Sequence, residues 1–222
     1  MSPANIWIKI CGNTSLEDAQ LAADSGANAV GFVFAPSPRR VTPAQVAAIV
    51  PHLPATLEKI GVFVDASFEE IESTILASGL TGVQLHFAAA PNLLARLRLR
   101  FGRELRIIRV IHFSPESSIE AAGSLLNSQI DAVLVDSRTP TAVGGTGQSF
   151  DWTLASKTLF LGGEQRGHRI VAAGGLNPEN VAEAIATLHP WGVDVVSGVE
   201  ASPGLKDPAK VRAFVANVRA GR

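Results

Sequence analysis

Residues 169–188 read RIVAAGGLNPENVAEAIATL, and they combine the marks of a strand, a tight turn and a helix. The stretch begins with a continuous apolar run, which is typical of a strand covered on both faces, as in a parallel sheet. Gly174 and Gly175 end the run, and Asn177 followed by Pro178 is typical of a helix start. Apolar residues then follow at helical spacing: Val181, Ile185 and Leu188. The stretch predicts one strand-turn-helix unit.

The same pattern recurs along the chain. Eight short apolar runs are separated by segments with helical signals, and they are IWIKI (6–10), NAVGFVF (28–34), KIGVFV (59–64), GVQLH (82–86), LRIIRVI (105–111), DAVLVD (131–136), RIVAAGG (169–175) and VDVVSG (193–198). After the last run, Asp207 and Pro208 begin a predicted helix that stops at Gly221. Its apolar face comprises Val211, Phe214, Val215 and Val218.

Eight strands alternating with helices over 222 residues predict an α/β protein with a single (β/α)8 barrel domain, a TIM barrel, over residues 1–222. A doubly wound open sheet is the alternative, although that fold more often has about five to seven strands. The sequence contains no low-complexity linker that would divide the chain.

The composition indicates a globular protein that acts on a small molecule. Hydrophobic residues make up 46% and charged residues 18% of the chain, and the formal net charge is -1. Such a chain can bury a sizeable core but has no basic stripe for nucleic acid, and no apolar run approaches the roughly 18 residues of a membrane span. The single cysteine fits a reducing compartment, and the N-terminus lacks a secretion signal. We therefore expect a cytoplasmic protein, a monomer rather than a homodimer, with neither nucleic-acid nor membrane partner.

The only cysteine, Cys11, stands where the first apolar run breaks into a glycine. Strand alternation places Trp7, Lys9 and Cys11 on one face, which we expect to point into the barrel with Cys11 at its upper rim. A lysine inside a barrel needs a carboxylate partner, and Asp194 in the neighbouring eighth strand is the candidate. A cysteine is often simply a buried apolar residue, so catalysis and packing both remain open for this thiol.

Three other polar residues end apolar runs. Asp136 ends the sixth run, where it either caps a loop or serves chemistry. Asp65 precedes Ser67 and a helical pattern, so we expect it to cap a helix. His86 follows the fourth run and is expected to line a loop.

Three glycine-bearing stretches follow the sixth, seventh and eighth runs: VGGTGQS at 143–149, AAGGLNPENV at 172–181 and VVSGVEASPG at 195–204. Glycine lets backbone N–H groups approach an anion closely, and the loops after strands seven and eight are the usual phosphate site of such barrels. Tight turns would explain any one stretch equally well, and none matches a nucleotide-binding fingerprint. Together they predict a phosphorylated metabolite as ligand.

Arg39 and Arg40 occupy a proline-stiffened loop after the second run, in FVFAPSPRRVTP. An arginine pair is most often solvated. Arginine is nevertheless the side chain suited to bidentate binding of a carboxylate, and a stiff loop would hold it in place.

Several of these motifs resemble one enzyme family when taken in order from residue 8 to about residue 207. The matching pieces are KICGNTSLEDA, GANAVGFVFAPSPRRVTP, GVFVD, GVQLH, LVDS, GGTGQSFDW, AGGLNPENV and VDVVSGVEASPGLKD. Together they resemble phosphoribosylanthranilate isomerase of tryptophan biosynthesis. AGGL alone is shared with other phosphate-binding barrels, whereas KICG combined with GGTG and VVSGVE is specific.

The resemblance implies an Amadori rearrangement that needs no cofactor and no metal. By position it implies that Cys11 is the general base, that Asp136 is the general acid and that Arg40 meets the anthranilate carboxylate. The implied phosphate-binding residues are Gly145, Gly147, Gly174, Gly175, Ser197 and Gly198. One departure is Phe87, because the family usually has glycine after QLH.

Two other functions remain open at this stage. A Schiff-base aldolase would use the same fold and a phosphosugar, with Lys9 as its nucleophile. A barrel that binds phosphate without catalysis is the other, since a fold does not fix a function. The presence of Cys11 and Asp136 together with the glycine-rich loops argues against the second.

Overall fold

The computed structural model describes residues 6–86, 92–112, 127–136, 152–157 and 169–220. In these residues eight parallel strands close into a barrel in chain order, with β1 paired to both β2 and β8. The strands are β1 Trp7–Ile10, β2 Ala29–Val33, β3 Glu58–Phe63, β4 Gly82–Leu85, β5 Arg106–His112, β6 Ala132–Asp136, β7 Ile170–Ala173 and β8 Gly192–Val195. The closed barrel confirms the predicted fold class over the open doubly wound sheet.

The described helices lie on the outside of the barrel, each after a strand. Within the described ranges they are α1 Leu16–Asp24, α2 Pro43–Ile49, α3 Phe68–Ser78, α4 Leu93–Phe101, α5 Trp152–Ala155, α6 Val181–Leu188 and α7 Pro208–Ala220. A short antiparallel hairpin follows β8 and consists of β9 Glu200–Ser202 and β10 Leu205–Lys206.

Side chains of each strand alternate between the helical layer and the barrel interior. In β1, the buried Ile8 and Ile10 belong to the core between strands and helices. Trp7 of the same strand packs inside the barrel, where its neighbours include Ile60 and Ile108. The alternation predicted for the first strand is therefore confirmed, and Lys9 shares the inward face with Trp7.

The helix starts follow the predicted capping signals with two differences. The Asp207 carboxylate accepts backbone hydrogen bonds from the first turn of α7, at 2.9 and 3.1 Å, as expected of an N-cap. Asn177 caps a turn in the same way, but the regular helix α6 begins only at Val181. The cap of α3 is Ser67, so the prediction that Asp65 caps this helix is wrong. Asp65 lies ahead of the cap and has a φ of 55°, outside the helical region. Gly221 lies outside the described residues.

Candidate active site

A cavity of about 300 Å³ opens at the C-terminal end of the barrel. This is the end at which (β/α)8 enzymes carry their reactive groups, because the loops after all eight strands converge there. The polar and glycine residues that line the cavity include Cys11, Ser37, Arg39, Gln84, His86, Asp136, Gly174, Gly175, Asp194 and Ser197. The two predicted catalytic residues thus face one cavity together with part of the predicted phosphate site.

Cys11 is both buried and part of the cavity wall, with 3% of its surface exposed. Its backbone N–H donates to the oxygen of Val195 at 2.9 Å, which holds the end of β1 against β8. Burial raises the pKa of the Cys11 thiol above its ordinary value, and the positive charge of Lys9 offsets only part of this effect. The electrostatics therefore favour the protonated thiol at the cavity wall, and the thiolate that forms there is more basic than an ordinary one.

The predicted partner of Lys9 is confirmed. Its Nζ donates to Asp194 Oδ1 at 2.8 Å, and both side chains are buried in the barrel beneath Cys11. Burial acts to lower the pKa of Lys9, but Asp194 and the Cys11 sulfur outweigh it, so the pKa of Lys9 is raised. Lys9 is therefore a permanent cation close to the thiol.

Two residues that sequence reasoning missed shape the surroundings of the thiol. Gly31 of β2 lies beside Cys11, and a Cβ at this position would overlap the Cys11 sulfur. Asn13 is fully buried, and its Nδ2 donates to the oxygens of Ile10 at 2.8 Å and Gly31 at 3.1 Å. Asn13 thereby joins the end of β1 to the middle of β2. The sequence offered only its place two residues after the cysteine as a signal.

Asp136 is the last residue of β6. In the two strand pairings of β6 it lies opposite His112 of β5 and Ala173 of β7. This register directs its side chain to the same inward face as Leu134, at the rim of the cavity. Asp136 therefore lies at the cavity, and its role as a general acid stays a prediction.

The predicted phosphate loops after β7 and β8 lie against each other at the cavity. Gly174 and Gly175 have positive φ angles of 82° and 68°, a conformation that other residues rarely adopt. A Cβ at Gly198 would overlap the backbone oxygen of Leu176, so only glycine allows the two loops to approach this closely. Ser197 lines the cavity beside them. Gly145 and Gly147 lie outside the described residues.

The two arginines of the loop after β2 have different environments. Arg39 lines the cavity, and its guanidinium binds both oxygens of Glu200, with N–O distances of 2.7 and 2.6 Å. Arg40 is exposed, and its backbone pairs with Val33. The structure therefore does not bring Arg40 to the cavity wall, and its role in binding a carboxylate stays a prediction.

His86 lines the cavity after β4 and lies 2.8 Å from Gln84, measured between the two Nε2 atoms. This agrees with the loop-lining role expected of it. Phe87, the departure from the family pattern, lies outside the described residues.

Neither a metal cluster nor a membrane helix is found in the part of the chain that the structure describes. Within these ranges, no group of three or more His, Cys, Asp and Glu side chains could hold a metal ion. None of the helices described above is both long and apolar enough to cross a bilayer.

Comparison with known proteins identifies the family. Residues 8–217 match the family model described as N-(5'phosphoribosyl)anthranilate (PRA) isomerase. The chain belongs to this family. The resemblance found in the sequence motifs is thereby confirmed, and membership of the PRA isomerase family classes the protein as an isomerase.

Individual members of the family are similar over nearly the whole chain. The N-(5'-phosphoribosyl)anthranilate isomerase of Pelobacter propionicus is 46% identical over 211 residues, which is 95% of this chain and 94% of that protein. A crystal structure of the enzyme from Thermotoga maritima is 38% identical with a TM-score of 0.84, covering 97% of this chain and 99% of the other.

A further solved structure holds a ligand. It is a PRA isomerase in complex with reduced 1-(o-carboxyphenylamino)-1-deoxyribulose 5-phosphate, and it is 36% identical with a TM-score of 0.80. The two chains correspond over 97% of this one and 99% of the other. A phosphorylated small molecule thus binds to a member of the family with the same barrel.

Proposed function

We propose that this protein converts N-(5-phosphoribosyl)anthranilate to 1-(2-carboxyphenylamino)-1-deoxyribulose 5-phosphate, a step of tryptophan biosynthesis, without a cofactor. The observation that carries the proposal is that Cys11, Asp136 and the glycine loops after β7 and β8 line one cavity. An acid, a base and an anion-binding surface are the three groups that this rearrangement needs. Family membership and the ligand-bound relative support the choice of substrate.

Asp136 acts as the general acid in the first step. Its carboxylic acid protonates the ring oxygen of the ribose as the bond between that oxygen and C1′ breaks, and the nitrogen lone pair forms an iminium at C1′. Its place at the end of β6 supports this role, because the side chain faces the cavity from a rigid strand.

Cys11 acts as the general base in the second step. The thiolate removes the proton from C2′ of the iminium, giving an enolamine that tautomerises to the ketone. Burial raises the pKa of Cys11, so the thiolate is a stronger base than that of an ordinary cysteine but a smaller share of the protein carries it near neutral pH. The cation on Lys9 opposes this effect by stabilising the thiolate charge.

The two ends of the substrate are held by separate surfaces. The phosphate binds the backbone N–H groups of the glycine loops, which we assign to Gly145, Gly147, Gly174, Gly175, Ser197 and Gly198. We assign the anthranilate carboxylate to Arg40, whose exposed side chain must then turn toward the cavity mouth when substrate binds. Arg39 already lines the cavity but is engaged by Glu200.

The environment of Lys9 argues against the Schiff-base aldolase. A nucleophilic lysine must lose its proton near neutral pH, which requires a lowered pKa. Asp194 instead keeps Lys9 protonated. We therefore expect borohydride added together with substrate to leave the protein without an adduct.

The proposal is tested by following the loss of the fluorescent substrate, formed in place from anthranilate, phosphoribosyl pyrophosphate and the transferase that joins them. We expect the wild-type protein to consume it, and Cys11→Ala to be folded and inactive. Wild-type protein that leaves the substrate intact, or a Cys11→Ala variant with full turnover, would refute the proposed reaction or the proposed base, respectively.

A further inference from the structure

A buried ion pair that the proposed mechanism does not use lies behind Cys11. The fully buried side chain of Lys206, in β10, donates to the backbone oxygens of Cys11 at 2.6 Å and Val196 at 3.4 Å. Its third contact is Glu200 Oε1 at 3.2 Å. The three N–H groups of the ammonium thus meet three oxygens, two of which belong to the chain just after β1 and β8.

Glu200, in β9, extends the network to Arg39 in the loop after β2. Its carboxylate accepts the bidentate pair from Arg39 and a weaker hydrogen bond from the Gly204 N–H at 3.3 Å. Charge-assisted bidentate pairs are among the strongest and most directional hydrogen bonds in proteins. One buried carboxylate therefore connects the loop after β2 with Lys206, and through it with Cys11.

The hairpin that carries these two residues is itself tied to the segment after Cys11. Thr14 Oγ1 donates to the oxygen of Gly204 at 2.6 Å, and the Lys206 N–H lies 3.3 Å from both carboxylate oxygens of Asp18. These contacts link the hairpin to residues 11–18. A shift of the hairpin would displace the thiol.

We propose that Lys206 and Glu200 are positioning residues: their ion pair fixes the backbone of Cys11 and the guanidinium of Arg39, and so sets where the thiol stands relative to the substrate. The proposal rests on the role of Cys11 as the base. Neither Lys206 nor Glu200 lines the cavity, so they act through Cys11 and Arg39 and do not touch substrate.

The charge of the pair has a second effect. An apolar pair of similar volume is often as stable as a buried ion pair, so packing alone does not require these two residues. Burial lowers the pKa of Lys206, and Glu200 opposes this by stabilising the ammonium. The ammonium in turn favours the Cys11 thiolate, along with Lys9. Lys206 thus supplies both a fixed position and a positive charge, and Glu200 opposes the loss of its proton.

The first test compares Lys206→Met with Lys210→Met. Methionine keeps an unbranched apolar chain in place of the lysine stem but removes the donors and the charge. Lys210 is a matched control because this exposed lysine of α7 donates at 3.0 Å to the backbone oxygen of Glu200 instead of to Cys11. We expect Lys206→Met to lower kcat about 10- to 10²-fold, with a much smaller change in KM, since a displacement of roughly 1 Å can cost that much. Lys210→Met should keep both constants.

The second test measures the rate at which iodoacetamide alkylates the native protein as a function of pH. Cys11 is the only cysteine, so the mass of the labelled protein reports on this thiol alone. Because the thiolate is the reacting form, loss of the Lys206 charge should move the profile to higher pH, and Lys210→Met should leave it in place.

A double variant guards against a folding defect, because Lys206→Met leaves the Glu200 carboxylate without its lysine. Lys206→Met combined with Glu200→Gln removes both charges of the pair, and we expect it to be folded yet slow. A folded single or double variant with the wild-type kcat and alkylation profile overturns the proposal. A wild-type protein without isomerase activity refutes the proposed function instead, and the alkylation profiles still decide whether Lys206 controls the thiol.

Discussion

Replacing Gly31 by alanine tests whether the exact place of the thiol governs turnover. Gly31 faces the barrel interior beside Cys11, and the added Cβ would lie 3.0 Å from Cys11 Cβ and 3.0 Å from Lys9 Cε, and closer still to the sulfur. Carbon atoms pack best at about 3.5–4.0 Å, so these groups must retreat by roughly 0.5–1 Å. The least constrained of them is the thiol, because Lys9 is held by Asp194.

The expected magnitudes follow from this displacement. Overpacking of a well-filled core costs about 1–3 kcal/mol in the free energy of unfolding. A base moved by roughly 1 Å loses as much as about 10²-fold in turnover. We therefore expect Gly31→Ala to remain folded with a lowered melting temperature and to lose between about 10- and 10²-fold in kcat, while KM changes little because the phosphate loops are untouched.

Gly61→Ala is the control for overpacking as such. Gly61 of β3 faces the helical layer, where an added Cβ would lie 2.6 Å from Leu80 Cδ1 and 2.8 Å from Phe63 Cε2. It should lower the melting temperature without a comparable loss of kcat. Both variants are measured by steady-state kinetics and by thermal unfolding. Equal kcat values in the two variants would refute the claim that the position of the Cys11 thiol governs turnover.

Four further variants or measurements test other parts of the site. Asp136→Asn removes the general acid and should lower kcat by about 10²- to 10⁴-fold in a folded protein; full activity would contradict its role. Arg40→Ala should weaken binding of the anthranilate-bearing substrate but leave inorganic phosphate binding unchanged in calorimetry, and equal weakening of both would move the carboxylate site elsewhere. Alkylation of Cys11 in the wild-type protein should keep accelerating above about pH 8.5, the ordinary pKa of a cysteine, because burial raises its pKa; a plateau below that pH would be contrary to the electrostatics described. For Glu200, burial opposes ionisation but Arg39 and Lys206 outweigh it and lower the pKa. Its contribution to stability is then present above about pH 4.3 and lost as the pH falls through the lowered value. The stability difference between wild type and Glu200→Gln should therefore shrink in acid, and a difference that grows there would show the opposite sign.

The sequence predicted those parts of the site that depend on one strand and its neighbours. Alternation along β1 was sufficient to place Lys9 and Cys11 inside, and barrel closure brings β8 beside β1 with Lys9 in register with Asp194. The pair could be predicted because a (β/α)8 barrel fixes both the neighbours and the direction of each side chain. The end of β6 was predictable for the same reason, which is why Asp136 lies at the cavity as expected.

Contacts between loops far apart in the chain could not be predicted in this way. Arg39 meets Glu200 across 161 positions, and Lys206 meets Cys11 across 195. Neither pair follows from periodicity, since loop geometry decides which of two adjacent arginines turns inward. The role of Gly31 could not be predicted for a different reason. A glycine within a strand has no side chain that would indicate its surroundings, and only the position of the Cys11 sulfur shows why glycine is needed there.

The arrangement around the thiol also explains why a lysine that helps a thiolate is itself paired to a carboxylate. Alone in the barrel, Lys9 would lose its proton, because burial penalises the ammonium, and a neutral amine would give the thiolate no charge stabilisation. Asp194 keeps the ammonium charged but also raises the pKa of Cys11 by its own negative charge. The pair therefore stabilises the thiolate less than an isolated cation would. Asp194 nevertheless holds the Lys9 ammonium in place, where it interacts with the thiol. A base in this setting remains stronger than a free cysteine, and its negative charge is stabilised where the sulfur faces the substrate.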